Sequence, residues 1–261
     1  MENIKFIVLL LLFANTAISS TLPVNCNKDK SENPISLNYS VTEVYDNNNL
    51  FIQGMIYDAG NIYVSTGLYG QSSLNKINLK TGEIINFLKL KNEFFGEGLT
   101  IFNGQLIQLT WKSGKVLRYD KNNMKLINTQ NINSEGWGLT SNGHHLITSD
   151  GSEFLYFRDP KTLKVMSKLK VHYMGRRLRN LNELEWVDDC ILANIWQTNI
   201  IAIINPYSGN TLATIDLTKI AKKENTSDPE SMPNGIALIN NLSEILITGK
   251  YWKNVYQLKL K

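Results

Sequence analysis

Cysteine and histidine are scarce in this chain, with two and three residues among 261. Their spacing builds no zinc site, which excludes the familiar Cys/His metal folds. His144-His145 falls in an Asn-Gly turn and His172 stands alone, the pattern of solvated or internally satisfied imidazoles. Cys26 precedes the first expected strand and Cys190 follows the turn signal Val187-Asp188-Asp189, so one disulfide tying down an N-terminal arm and two free thiols are both open. Charge imbalance is missing as well. A net charge of +4, with lysines scattered among Asn and Ile, leaves no nucleic-acid footprint. The basic cluster Arg176-Arg177-Leu178-Arg179 is read as a solvated loop.

Long apolar runs are absent too. The N-terminal run from Phe6 to Phe13, leading to the small residues Ala17, Ser19 and Ser20, falls short of the ~20 residues of a membrane span. It has the form of a secretory signal peptide over residues 1–20, or of an uncleaved signal anchor, the one case in which membrane attachment is expected. The implied compartment is the secretory pathway, the endoplasmic-reticulum lumen or the exterior. The sequons at Asn38, Asn225 and Asn241 agree with it. Residues 21–34 then read as an N-terminal arm and 35–261 as one folded domain.

What is present is a repeat. Short alternating strands separated by Gly and Asn turns fill the chain from Phe51 onward, without helical periodicity. Their first strands align as Phe51-Ile52-Gln53-Gly54-Met55, Phe95-Gly96-Glu97-Gly98-Leu99, Glu135-Gly136-Trp137-Gly138-Leu139, Asn180-Leu181-Asn182-Glu183-Leu184 and Met232-Pro233-Asn234-Gly235-Ile236. A period of roughly 40 to 50 residues is that of propeller blades. The last copy ends too early for a fourth strand, while an alternating stretch at Ile35 to Tyr45 has no hairpin partner. Together they predict an all-β, five-bladed β-propeller closed by the N-terminal strand, which leaves no open sheet edge. The insertion from Lys219 to Met232 is expected as a loop with a helical turn, on the face where blades connect.

First strands line the channel of a propeller, so Gln53, Glu97, Trp137, Asn182 and Asn234 form a ring at one mouth. Such polar groups also serve to hold buried water at strand ends. Second-strand ends bring Tyr69, Trp111, Asp150, Trp196 and Lys250 to the same region. Three indoles around a lone carboxylate point instead to a pocket for a small, partly polar ligand, in which desolvation raises the acid's pKa. Gly96 and Gly98 beside Glu97 leave room for a close approach by other groups or by a ligand.

With Phe51-Ile52-Gln53-Gly54, Phe95-Gly96-Glu97-Gly98-Leu99-Thr100, Leu109-Thr110-Trp111-Lys112, Glu135-Gly136-Trp137-Gly138, Leu181-Asn182-Glu183-Leu184-Glu185, Ala193-Asn194-Ile195-Trp196 and Thr248-Gly249-Lys250 in this order, the chain resembles the plant-type glutaminyl cyclases, or glutamine cyclotransferases. These five-bladed propellers convert the N-terminal glutamine of peptides to pyroglutamate and release ammonia. The resemblance implies Glu97 as the catalytic proton-transfer acid and Gln53, Asn182 and Lys250 as polar substrate-binding groups, with Phe51, Phe95, Trp111, Trp137 and Trp196 as the apolar enclosure. It implies peptides or proteins beginning with Gln as partners, no metal at the chemistry and no cofactor. A structural ion in the channel stays open, and a monomer is expected. Ile52 departs from the Thr expected there, and the arginines at 176, 177 and 179 make the approach to blade four more basic. Glu135, outside the ring position, is expected to tolerate Gln.

Two other classes remain in view. A calcium-dependent propeller lactonase would need several carboxylates and amides on one ion, where this ring has a single acid and a Trp in a ligand position. A non-catalytic binding propeller needs no acid at all.

Overall fold

The computed structural model describes residues 22–28, 31–47, 49–239 and 244–261. The expected signal segment, residues 1–20, and the Asn241 sequon lie outside them. Two N-terminal strands, β1 (Ile35–Leu37) and β2 (Tyr39–Asp46), precede five antiparallel sheets. Blade one is β3 (Ile52–Asp58), β4 (Asn61–Thr66), β5 (Ser73–Asn78) and β6 (Ile84–Lys89). Blade two is β7 (Gly96–Phe102), β8 (Gln105–Thr110), β9 (Lys115–Asp120) and β10 (Leu126–Asn131), and blade three is β11 (Leu139–Ser141), β12 (Leu146–Thr148), β13 (Phe154–Arg158) and β14 (Val165–Lys170). A two-stranded ribbon, β15 (His172–Tyr173) and β16 (Arg176–Arg177), leads to blade four, β17 (Leu181–Val187), β18 (Cys190–Ile195), β19 (Ile200–Ile204) and β20 (Thr211–Asp216). Helix α1 (Thr218–Glu224) precedes blade five, β21 (Pro233–Leu238), β22 (Glu244–Gly249) and β23 (Asn254–Leu260). The first strands β3, β7, β11, β17 and β21 adjoin one another around the axis, giving the five-bladed β-propeller.

The core lies between blades, which explains the strand composition. In β19, Ile201 and Ile203 pack toward blade five while Ala202 and Ile204 pack toward blade three, so this strand is apolar at every position. In β4 the same period of two sends Ile62 and Val64 against blade five and Tyr63 against blade two. The outermost strands β6, β10 and β14 are largely exposed and carry Lys, Asn and Gln.

The ring closes as expected, with a change in detail. β2 pairs antiparallel with β23 and completes blade five. The stretch from Ile35 does not run on as one strand, because it breaks at Asn38 and β1 adds in parallel to β20 of blade four. Leu37 buries in the core between blades four and five, so the N-terminal segment fastens two neighbouring blades together. The arm before it is held by a Cys26–Cys190 disulfide with a Cα–Cα distance of 5.4 Å, by burial of Leu22 and Val24, and by Asn205 donating to the Cys26 carbonyl at 2.8 Å. The basic cluster also differs from the loop expected of it. His172 to Arg177 fold as a hairpin whose turn residues Met174 and Gly175 have φ of 49° and 72°, and Arg177 and Arg179 reach the mostly buried Glu153 at 3.4 and 3.3 Å.

Candidate functional site

The inner strands are irregular where the ring residues stand. Pairing with the second strand slips between Ile52 and Gly54, Gly96 and Leu99, Leu181 and Leu184, and Pro233 and Ile236, bracketing Gln53, Glu97, Asn182 and Asn234. A β-bulge re-aims the side chain it contains. Blade three reaches the same end differently: β11 starts only at Leu139, and Trp137 is held outside the ladder by donating its N–H to the Ser149 carbonyl at 3.1 Å. The adjacent glycines serve the ring rather than a ligand. A Cβ on Gly98 would stand 2.5 Å from the Leu139 nitrogen, and one on Gly138 would stand 1.9 Å from the Asn182 carbonyl oxygen, so neighbouring blades meet backbone to backbone at these points.

Phe51, Gln53, Phe95, Glu97, Trp111, Trp137, Asn182, Trp196 and Lys250 all line one cavity of about 360 Å³, joined by Leu68, Tyr251, Asp228 and Glu230. The aromatic wall is built of edge-to-face contacts: Phe51 on Phe95 at 6.0 Å, Phe95 on Trp111 at 5.4 Å and Trp137 on Trp196 at 5.6 Å. At the floor, Gln53 Nε2 donates to Glu97 Oε1 at 2.9 Å, and Asn234 Nδ2 donates to Gln53 Oε1 at 2.8 Å. The Lys250 ammonium lies 5.1 Å from the Phe51 ring centroid. Neither it nor the Asn182 carboxamide hydrogen-bonds another described residue, so both keep donors for whatever enters.

Burial pushes the Glu97 carboxyl well above the usual carboxylate range; Lys250 and the Gln53 hydrogen bond pull the other way, and Glu135 adds to the rise. Burial also lowers Lys250. The acid is thus raised and the amine lowered, which brings their proton affinities toward each other in a chamber open to a ligand. Two further buried carboxyls follow Asn182 on β17. Glu183 is raised by burial and by Glu185, and its Oε1 accepts from the Met55 N–H at 3.4 Å across the channel. Glu185 is pushed up to about 8 by burial and accepts from the Leu238 N–H at 3.0 Å.

Three residues expected at the mouth lie apart from the cavity. Tyr69 is half exposed and touches Phe95 from outside at 5.4 Å. Asp150 caps its own turn through the Ser152 N–H at 3.1 Å, and Asn234 lies beneath the floor. Glu135, read as a bystander, is not one: its Oε2 accepts from Trp111 Nε1 at 2.8 Å and from Trp137 Nε1 at 3.0 Å, joining indoles of two blades. Asp228 and Glu230 come from the insertion after blade four. They are placed by Glu224 at the end of α1, which accepts from Asn254 Nδ2 at 3.1 Å, and by the Asp228 side chain accepting from the Glu230 N–H at 2.8 Å. The insertion and its helical turn are legible in the sequence; the placing of Asp228 and Glu230 on the cavity is not.

Comparisons with known proteins agree on one relationship. The family model described as glutamine cyclotransferase matches residues 10–260. A protein of Arabidopsis thaliana named glutaminyl-peptide cyclotransferase is 35% identical over 271 residues, covering 100% of this chain and 84% of its own length. The crystal structure of Myxococcus xanthus glutaminyl cyclase superposes with a TM-score of 0.80 at 28% identity, covering 87% of this chain and 98% of that one.

Proposed function

The chain belongs to the glutamine cyclotransferase family, and we propose from that premise that it closes the N-terminal glutamine of peptides to pyroglutamate with Glu97 moving the proton. The observation that carries this reading is a raised carboxyl on the floor of an indole-walled cavity, with one oxygen fixed by Gln53. The reaction is an intramolecular aminolysis. The neutral α-amine attacks the γ-carboxamide carbon, forming the ring C–N bond and a tetrahedral oxyanion. Glu97, as carboxylate, takes the proton that the amine sheds and returns it to the departing amide nitrogen as that C–N bond breaks and ammonia leaves. The Lys250 ammonium and the Asn182 side-chain amide, neither hydrogen-bonded to another described residue, are the donors available to the oxyanion. The aromatic walls hold the bent conformer that brings amine and carbonyl together and keep bulk water out.

No step in this scheme calls on a metal, and activity that withstands a chelator is expected. Passage through the secretory pathway is supported by the N-terminal apolar run and the Cys26–Cys190 disulfide, and among the described residues no helix is long and apolar enough to cross a membrane. The direct test is ammonia release from a Gln-initiated dipeptide beside its Asn-initiated counterpart. Turnover confined to Gln supports the reading; no ammonia from the Gln peptide would overturn it.

A further inference from the structure

The side-chain amides beneath Glu97 have a direction, and one backbone group sets it. Asn234 Nδ2 donates to the Ile52 carbonyl at 3.0 Å and to Gln53 Oε1 at 2.8 Å, which uses both of its hydrogens. A carbonyl oxygen can only accept, so the Asn234 amide cannot turn over without setting oxygen against oxygen. Its orientation in turn points the Gln53 oxygen at Asn234 and the Gln53 NH₂ at Glu97 Oε1, 2.9 Å away. The three residues come from the inner strands of blades five, one and two, and all three are at most 4% exposed. Asn234 Oδ1 is buried with no hydrogen-bond partner among the described residues, so what selects this orientation is the donor side of the amide.

We propose that Asn234 is a positioning residue for the reaction: keyed by the Ile52 carbonyl, its carboxamide fixes the direction of the Gln53 amide, so that Gln53 offers Glu97 an N–H rather than a C=O. Asn234 does not line the cavity and acts through Gln53. The consequence is a carboxylate with Oε1 held and Oε2 left to the substrate amine. With Gln53 reversed, its oxygen would face Glu97 and favour the protonated acid, which cannot take the amine's proton. The other charges acting on Glu97 are Lys250 and Glu135, with Glu230 acting on Lys250, and none of them hydrogen-bonds the Asn234 side chain.

This proposal rests on Glu97 being the proton carrier, and the experiment separates the two claims. Protein labelled with ¹³C in the glutamate carboxyls is titrated by NMR, the Glu97 resonance being assigned by its loss in Glu97→Gln. Asn234→Leu keeps much of the volume, adds no charge and can donate to neither acceptor, so nothing holds the Gln53 amide in its direction. The Glu97 titration then moves up by about one pH unit, a tenfold gain in proton affinity, and kcat/KM on a Gln-initiated peptide falls about tenfold at neutral pH. Asn234→Ala moves both in the same direction by less. An unmoved Glu97 titration in both Asn234 variants overturns the proposal while leaving the role of Glu97 intact. Variants that no longer melt cooperatively would overturn it too, by making Asn234 a residue of the fold. Full turnover by Glu97→Gln instead defeats the assignment on which the proposal stands.

Discussion

Glu97 and Glu183 are both buried carboxyls on inner strands, both raised above the usual carboxylate range by burial, and they differ in what surrounds them. Glu97 has one side-chain donor and a cavity beside it. Glu183 reaches across the channel to the backbone of another blade, and Glu185, two residues on, is likewise held by a backbone N–H. A buried acid answered by backbone donors ties the blades together; a buried acid answered by one amide and an open chamber is free to change partners during a reaction. A perturbed pKa alone would have ranked the three together.

The largest effect expected from this contrast is on stability. The folded protein keeps a proton on Glu185 up to about pH 8, whereas the unfolded chain releases it in the ordinary range near ~4. Between those values the native state binds more protons, so stability is greatest at the acid end and declines as pH rises, by about 1.4 kcal/mol per pH unit for each such proton. Glu185→Gln should flatten this slope in urea unfolding compared at pH 5.5 and 8; an unchanged slope would mean that other groups cause it.

The next effect belongs to the cavity walls. Trp196→Ala and Trp111→Ala should each lower kcat/KM on the order of tenfold, mostly through KM, with cooperative melting retained, because these half-buried indoles face the chamber. Failure of either variant to fold would move that indole to the side of Glu183, among the groups that hold the ring. The smallest effect is at Glu135. Glu135→Ala frees both indole N–H groups and should lower kcat/KM about threefold, while Glu135→Gln keeps an acceptor oxygen and should lose less. Equal losses in the two would show that the charge, rather than the shared acceptor, matters there.

Blades and ring were legible because both rest on local signals. Alternation, Gly and Asn turns and the recurrence of the first strand place Gln53, Glu97, Trp137 and Asn182 at equivalent positions without any long-range information. What escaped depends on contacts between blades. The break at Asn38 follows from β1 pairing with β20 of blade four while β2 pairs with β23 of blade five, a choice that no alternation pattern encodes. Glu135 acquires its role only when Trp111 and Trp137, 26 positions apart in number, come within reach of one oxygen. The burial of Glu183 and Glu185 is not carried by the strand's own pattern, since it comes from both faces of an inner strand being covered in a propeller. The rim residues Asp228 and Glu230 depend on how α1 docks through Glu224 on β23.

The contrast between the two acids is tested most directly by steady-state turnover of Glu97→Gln and Glu183→Gln on the same Gln-initiated peptide. Gln at 97 keeps the size and the hydrogen-bonding capacity but cannot carry the proton, and a lost proton transfer is typically worth ~10²–10⁴-fold in rate. The account predicts a fall of that order for Glu97→Gln with an unchanged melting temperature, and near-normal turnover for Glu183→Gln. Near-normal turnover in Glu97→Gln, or an equal collapse in Glu183→Gln with the fold intact, would contradict it.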